Sequence, residues 1–287
     1  MKVISNVFTA IIMLFSAAAF ADITLTFGIY TSDKPTTMVT TFRPILNELE
    51  NKLSILLSEP VSIKMHVAKD YDQGIKDLVN GNVDFARMGP ASYIISKKQN
   101  PEIELLVMEN QKGKKTFYGV ICVQQDSSIE QISQLKNHSF AFGNKNSTIG
   151  RYLSQLLLAE HGIYADQLSH FEYLERHDRV GTAVGAGFFD AGALKESTFK
   201  KLKDKGVKIK ELVRFPNVTK PWIASHTLNE EIRLALRQSL LEIDSPEVLK
   251  KLKKDGFLPA KDSDYNLIRE SLEKNERFFK QTTADEK

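Results

Sequence analysis

Apolar and polar residues alternate with a period of two in several short stretches and recur at helical spacing between them. Residues 23–29 alternate and are β-rich, which predicts a strand. Over 41–57 the apolar positions Phe42, Ile45, Leu46, Leu49, Leu53 and Leu56 follow a 3.6-residue period, which predicts a helix. A second alternating strand is expected over 61–67, with His66 facing solvent, and a helix over 71–80 that Gly81-Asn82 should end. Residues 83–88 read as a short third strand closed by Gly89-Pro90. Strands alternating with helices predict an α/β unit with a mainly parallel sheet. Small molecules bind such sheets beyond the carboxyl ends of the strands. Those ends are Tyr30 to Ser32, Tyr71 just past the second strand, and Met88-Gly89-Pro90.

The second half repeats the theme. Strands are expected over 117–123, 140–142, 171–175 and 208–215, and helices over 129–135 and from His177-Asp178 onward. The lysine-rich stretch 195–210 reads as a solvated helix and turn. Amphipathic helices are expected over 229–242 and 264–280, with 281–287 frayed. The most informative stretch is 138–152. Phe140-Ala141-Phe142 ends a buried strand, Gly143-Asn144 breaks it, and Asn146, Ser147 and Thr148 are N-cap residue types before an apolar helix over 152–159. Unpaired amides, the positive end of the helix dipole and two hydroxyls would make a site for an anion of phosphate size. On spacing alone an ordinary capped helix start explains the same residues.

Composition narrows the possibilities. The chain has 287 residues, 42% hydrophobic and 26% charged, enough for one large or two medium domains. Its net charge of +3 comes from interspersed acids and bases, which gives no electrostatic footprint for nucleic acid. Lys2, the apolar stretch 7–20 and Ala19-Phe20-Ala21 predict a signal peptide over 1–21, cleaved before Asp22. An exported, soluble protein without a membrane anchor is expected. Cys122 is the only cysteine and lies in an apolar strand, so it reads as a small buried hydrophobe. No Walker lysine, G-x-G-x-x-G, G-x-S-x-G or H-E-x-x-H occurs, and no paired acids converge, so the chain does not read as an enzyme and implies no metal or cofactor.

The run Phe140-Ala141-Phe142-Gly143 followed by Asn146-Ser147-Thr148-Ile149-Gly150 resembles the "FxxxDPNSTSG" segment of phosphate/phosphite/phosphonate-binding proteins of bacterial ABC transporters. Residues 81–90 resemble that family's "NGxVDxAxxGP" block, Tyr71 falls in its "xDYxxxI" block, and 184–194 resemble its "VxxGxVDAGxV" block. The resemblance implies a type 2 periplasmic-binding-protein fold: two α/β lobes, a two-crossover hinge near Thr116 and Phe215, and a ligand cleft between the lobes. It assigns 22–116 and 215–287 to lobe 1 and 117–214 to lobe 2. It implies ligand contacts at Ser147, Thr148, Asn146, Tyr71 and His177. The family's aromatic contact at the start of the 117–123 strand falls on Phe117, with Tyr118 one residue later. Where relatives that bind aminoethylphosphonate hold its amine with two carboxylates, this chain has Ser197 and Lys220 or Asn217. That departure disfavours an aminoalkylphosphonate and favours a simpler oxyanion or a ligand with a second negative group. The implied function is capture of a phosphorus oxyanion in the periplasm, as a monomer, for delivery to an ABC permease. The alternative is a periplasmic sensor that signals to a membrane histidine kinase or similar receptor.

Overall fold

The computed structural model describes residues 22–31 and 35–280, so the expectations for 1–21 and 281–287 lie outside the described residues. The chain opens with β1 (Ile23–Tyr30), α1 (Pro35–Leu57), β2 (Val61–Ala68), α2 (Tyr71–Val79) and β3 (Phe85–Arg87). The helix α1 starts six residues before the predicted position and carries Pro44 inside it. Asp70 caps α2 by accepting the Gln73 N–H at 2.8 Å, and Gly81 takes φ +75° where the chain leaves the helix. His66 is half-exposed and paired with Asp77 at 2.8 Å, so its strand face is not purely solvated.

The next two elements escaped the sequence pattern, as those at Pro246–Leu252 and Phe257–Leu258 did later in the chain: α3 (Pro90–Gln99) and β4 (Glu104–Glu109). The chain then builds a second sheet from β5 (Thr116–Gln124), β6 (Ser139–Phe142), β7 (His170–Tyr173), β8 (Ala191–Lys195) and β9 (Ile209–Val218). Between them lie a π-helical turn, Thr148–Leu153, running into α4 (Ser154–Glu160), then α5 (His177–Gly185) and α6 (Glu196–Asp204). The segment expected to be helical at 129–135 is only a 3-10 turn, Ile132–Leu135. The chain returns to the first sheet as β10 (Pro221–Ala224), adds α7 (Glu230–Leu241), α8 (Pro246–Leu252) and β11 (Phe257–Leu258), and ends in α9 (Asn266–Glu273) and a 3-10 turn, Lys274–Phe279.

The first sheet has the order β11-β4-β10-β3-β1-β2 and the second β7-β6-β8-β5-β9. Both are mixed. β1 is parallel to β2 and β3, but β10 is antiparallel to β3 and β4 because it enters from the opposite sheet. In the second sheet β6 is parallel to β7 and β8, while β5 is antiparallel to β8 and β9.

Trp222 anchors the first core, fully buried with its ring centroid 5.0 Å from Phe27 and 5.3 Å from Phe257. A separate apolar cluster is continuous across both sheets, from Tyr30, Met88 and Tyr93 to Ile149, Phe140 and Phe142. Phe278 joins it from the closing segment, 5.6 Å from Phe142. Cys122 is fully buried, and burial pushes its thiol up to about 12.

Three passages of chain run side by side between the sheets: 110–115, Thr219-Lys220 and the segment leading into α9. Thr219 N–H donates to the Lys115 carbonyl at 2.9 Å, Tyr265 Oη donates to the Thr219 carbonyl at 3.2 Å, and Lys115 pairs with Asp264 at 2.9 Å. α9 packs on both α3 and the π-helical turn.

Candidate anion site and interlobe cleft

The site forms where parallel strands of both sheets present their carboxyl ends. Phe142 of β6 pairs with Tyr173 of β7, so the turn after one strand and His177 after the other leave the same edge. In the turn, Asn144 Oδ1 accepts the Asn146 N–H at 2.8 Å, and Ser147 stands at the N-cap in extended conformation. Gly143 and Gly150 make the turn tight: Gly143 N–H donates to the Gly150 carbonyl at 2.8 Å, and a Cβ on Gly150 would lie 2.7 Å from Gly143 Cα. Only a residue without a side chain fits at that approach.

Ser147 and Thr148 are buried, and each hydroxyl accepts a backbone N–H. Ser147 Oγ takes that of Gly150 at 3.0 Å, and Thr148 Oγ1 takes that of Ala91, across the cleft, at 2.8 Å. A hydroxyl that accepts one bond still has its own proton to donate. The opposing surface is the turn after β3. A Cβ on Gly89 would lie 2.9 Å from Tyr30 Oη and 3.6 Å from Thr148 Oγ1, so glycine admits the hydroxyls. Tyr30 Oη accepts the Gly89 N–H at 2.5 Å and bonds Ser92 Oγ at 3.0 Å, and burial raises its phenol above the ordinary value. Tyr71 is buried and stacks on Tyr30 with centroids 4.0 Å apart.

The structure thus brings Ser147 and Thr148 against the first sheet's strand ends. Asn146 reaches the same side differently, its amide donating to Asp72 in the first turn of α2 at 2.6 Å. His177 is buried at the first residue of α5. Tyr118 is half-buried beneath the Arg214 guanidinium, 3.7 Å from the ring centroid. It adjoins Gly119, where a Cβ would lie 2.8 Å from Ile149 of the turn.

A sequence profile for "ABC transporter, phosphonate, periplasmic substrate-binding protein" matches residues 27–265. The chain belongs to this family. Members are binding components of ABC transporters and not enzymes. This phosphonate-family binding protein is 25% identical over 253 residues to the probable ABC transporter phosphite binding protein PhnD1 of Prochlorococcus marinus, covering 79% of this chain and 84% of that one. The solved structure of PhnD1 with methylphosphonate superposes with a TM-score of 0.77 at 21% identity, over 88% of this chain and 98% of that one. A binding component of an ABC phosphonate transporter from Pseudomonas aeruginosa gives 0.77 at 17% identity, over 87% and 85%. XAC2383 of Xanthomonas citri, solved with ATP, gives 0.72 at 20%, over 89% and 98%. The two-lobed type 2 fold is common to these structures.

This binding protein has a cleft of about 620 Å³ between the lobes with a strongly basic lining; of the residues expected to touch a ligand, Tyr118 lines it and Tyr71, Asn146, Ser147, Thr148 and His177 do not. Among the described residues, eleven lysines and arginines line it against two glutamates, Glu109 and Glu196. The lysine-rich stretch is solvated as expected, with Lys200 and Lys201 exposed, and Lys195, Lys200 and Lys201 also line the cleft. Sequence reasoning passed over Glu109, although it is a charged residue ending the apolar strand Leu105-Leu106-Val107-Met108, as Arg87 ends Phe85-Ala86. Such a residue must find a partner or a ligand. Arg87 Nε donates to Glu109 at 2.6 Å, and Lys254 lies 3.6 Å from the other carboxylate oxygen.

Proposed function

We propose that the chain captures a phosphorus oxyanion such as a phosphonate, phosphite or phosphate between its two lobes and hands it to its permease. The observation that carries this reading is the pair of buried hydroxyls of Ser147 and Thr148, each with a proton left to donate, at a helix start facing Gly89. Charge-assisted hydrogen bonds from such donors contribute about 1.5–3 kcal/mol each. In this reading Tyr71 and His177 close over the anion, Asn146 ties the turn to α2, and Tyr118 flanks the opening. The protein works as a monomer in the periplasm, freed of residues 1–21, and binds its solute without turnover. Membership of a transporter family supports delivery to a permease over signalling to a receptor kinase. Among the described residues no helix is long and apolar enough to cross a membrane.

Calorimetry with methylphosphonate, phosphite and phosphate tests the reading. At least one should bind, and Ser147→Ala with Thr148→Ala should weaken it by about 3 kcal/mol or more, roughly 100-fold. Retention of full affinity in the double variant would place the anion elsewhere.

A further inference from the structure

One side chain ties the anion turn to the far end of the chain. Arg151 Nη1 donates to the Lys145 carbonyl at 2.8 Å, Nη2 to Asn275 Oδ1 at 2.9 Å, and Nε to Gln155 Oε1 at 3.4 Å. Its guanidinium lies 4.8 Å from the Tyr152 ring centroid and 5.8 Å from that of Phe279. Asn275 donates in turn to Gln155 Oε1 at 2.8 Å, and Gln155 Nε2 to Tyr173 Oη at 2.9 Å. Gln155 and Asn275 are buried. Each nitrogen of the planar fork makes a bond, so the guanidinium is held in one orientation.

The bond to Lys145 acts inside the turn. In a trans peptide the carbonyl and the N–H point opposite ways. The peptide joining Lys145 to Asn146 is pinned on both sides: its carbonyl accepts from Arg151, and its N–H donates to Asn144 Oδ1 at 2.8 Å. Ser147 follows directly, its own N–H on the Asn144 carbonyl at 2.9 Å. Releasing the Lys145 carbonyl would let that peptide rotate and re-aim the two hydroxyls behind it. The other end of the brace, Asn275, lies 124 residues further along the chain. Its segment is seated by Phe278, whose ring centroid is 5.6 Å from Phe142 and 6.0 Å from Phe171, on the two strands that lead to the turn and to His177. Just before it, α9 packs on α3 and on the π-helical turn.

We propose that Arg151 is a positioning residue for oxyanion capture, and that the closing segment of the chain, through Asn275, completes the anion turn. This rests on the oxyanion reading of Ser147 and Thr148. Arg151 and Asn275 act through the Lys145 peptide and not by touching the solute. A binding constellation keeps its geometry only where the groups behind it are themselves locked. Affinity at the turn therefore depends on the seating of 274–279.

The test is calorimetry with methylphosphonate, phosphite and phosphate on the wild-type protein and on Asn275→Leu, Asn275→Asp and Arg151→Met, each with its melting temperature. For whichever anion binds, Asn275→Leu, which keeps the volume and removes the acceptor, should weaken binding about tenfold, while Asn275→Asp, which keeps an acceptor for the guanidinium, should stay within about threefold of wild type. Arg151→Met should lose at least as much as Asn275→Leu, and combining the two should add little, because both release the same peptide. Should Arg151→Met fail to fold, the two Asn275 variants decide alone. A lower melting temperature with unchanged affinity in Asn275→Leu, or equal losses of affinity in the Leu and Asp variants, would overturn the proposal and leave the oxyanion reading standing. Binding of none of the three anions by the wild type would overturn that reading and this proposal together.

Discussion

Glu109 shows how far one side chain's surroundings set its chemistry. Full burial would raise its carboxyl, but Arg87, Lys254 and Lys220 outweigh that and hold it at about 2, against an ordinary value of 4.5. A carboxyl lowered by folding stabilises the fold above its unfolded value and loses that contribution as pH falls toward its folded value. Urea unfolding should therefore show the wild type losing stability between pH 4.5 and 2, with Glu109→Gln less pH-dependent in that window. At pH 7 the same variant should lose about 3 kcal/mol, because it leaves buried cations without their counter-charge. Equal pH slopes for the two proteins would mean that Glu109 titrates normally in the folded state. The pair was not legible in the sequence, since Arg87 and Glu109 are joined only through the pairing of β10 with both β3 and β4.

At the scale of elements, the turn over 143–150 depends on two glycines in contact. Gly150→Ala would push a methyl to 2.7 Å from Gly143 Cα and 2.9 Å from Gly143 N, both backbone atoms that cannot rotate aside. The expected outcome is a loss of about 1–3 kcal/mol of stability and at least a tenfold loss of affinity for whichever oxyanion binds. Melting and titration of one sample would check both. Unchanged affinity would separate the turn from the site. This turn was legible from residue types alone: Phe140 to Phe142 as a strand, Gly143 as a break, Ser147 as a cap. The π-helical opening was not, because residue types do not distinguish its wider hydrogen-bonded turn from that of an α-helix. Nor were α3 and α8. Both start at a proline, and neither carries a long apolar stripe, since α3 is buried along much of its length and α8 only at Leu252. The antiparallel direction of β10 follows from the route of the chain between sheets, which local periodicity does not encode.

For the molecule as a whole, the lobes are linked by three strands of chain bonded to one another through Lys115, Thr219, Asp264 and Tyr265. Tyr265→Phe with Asp264→Ala removes the bonds that tie the third passage to the other two, and neither residue lines the cleft. Stopped-flow displacement of bound oxyanion should show faster release from this variant, by about threefold or more. A release rate equal to wild type would mean that the third passage does not restrain opening. Two parallel ribbons can shear past each other as well as bend, but a laminate of three resists shear and torsion and yields chiefly to flexing. Motion between the lobes then reduces to one angle, and the rim opposite the laminate is where they part.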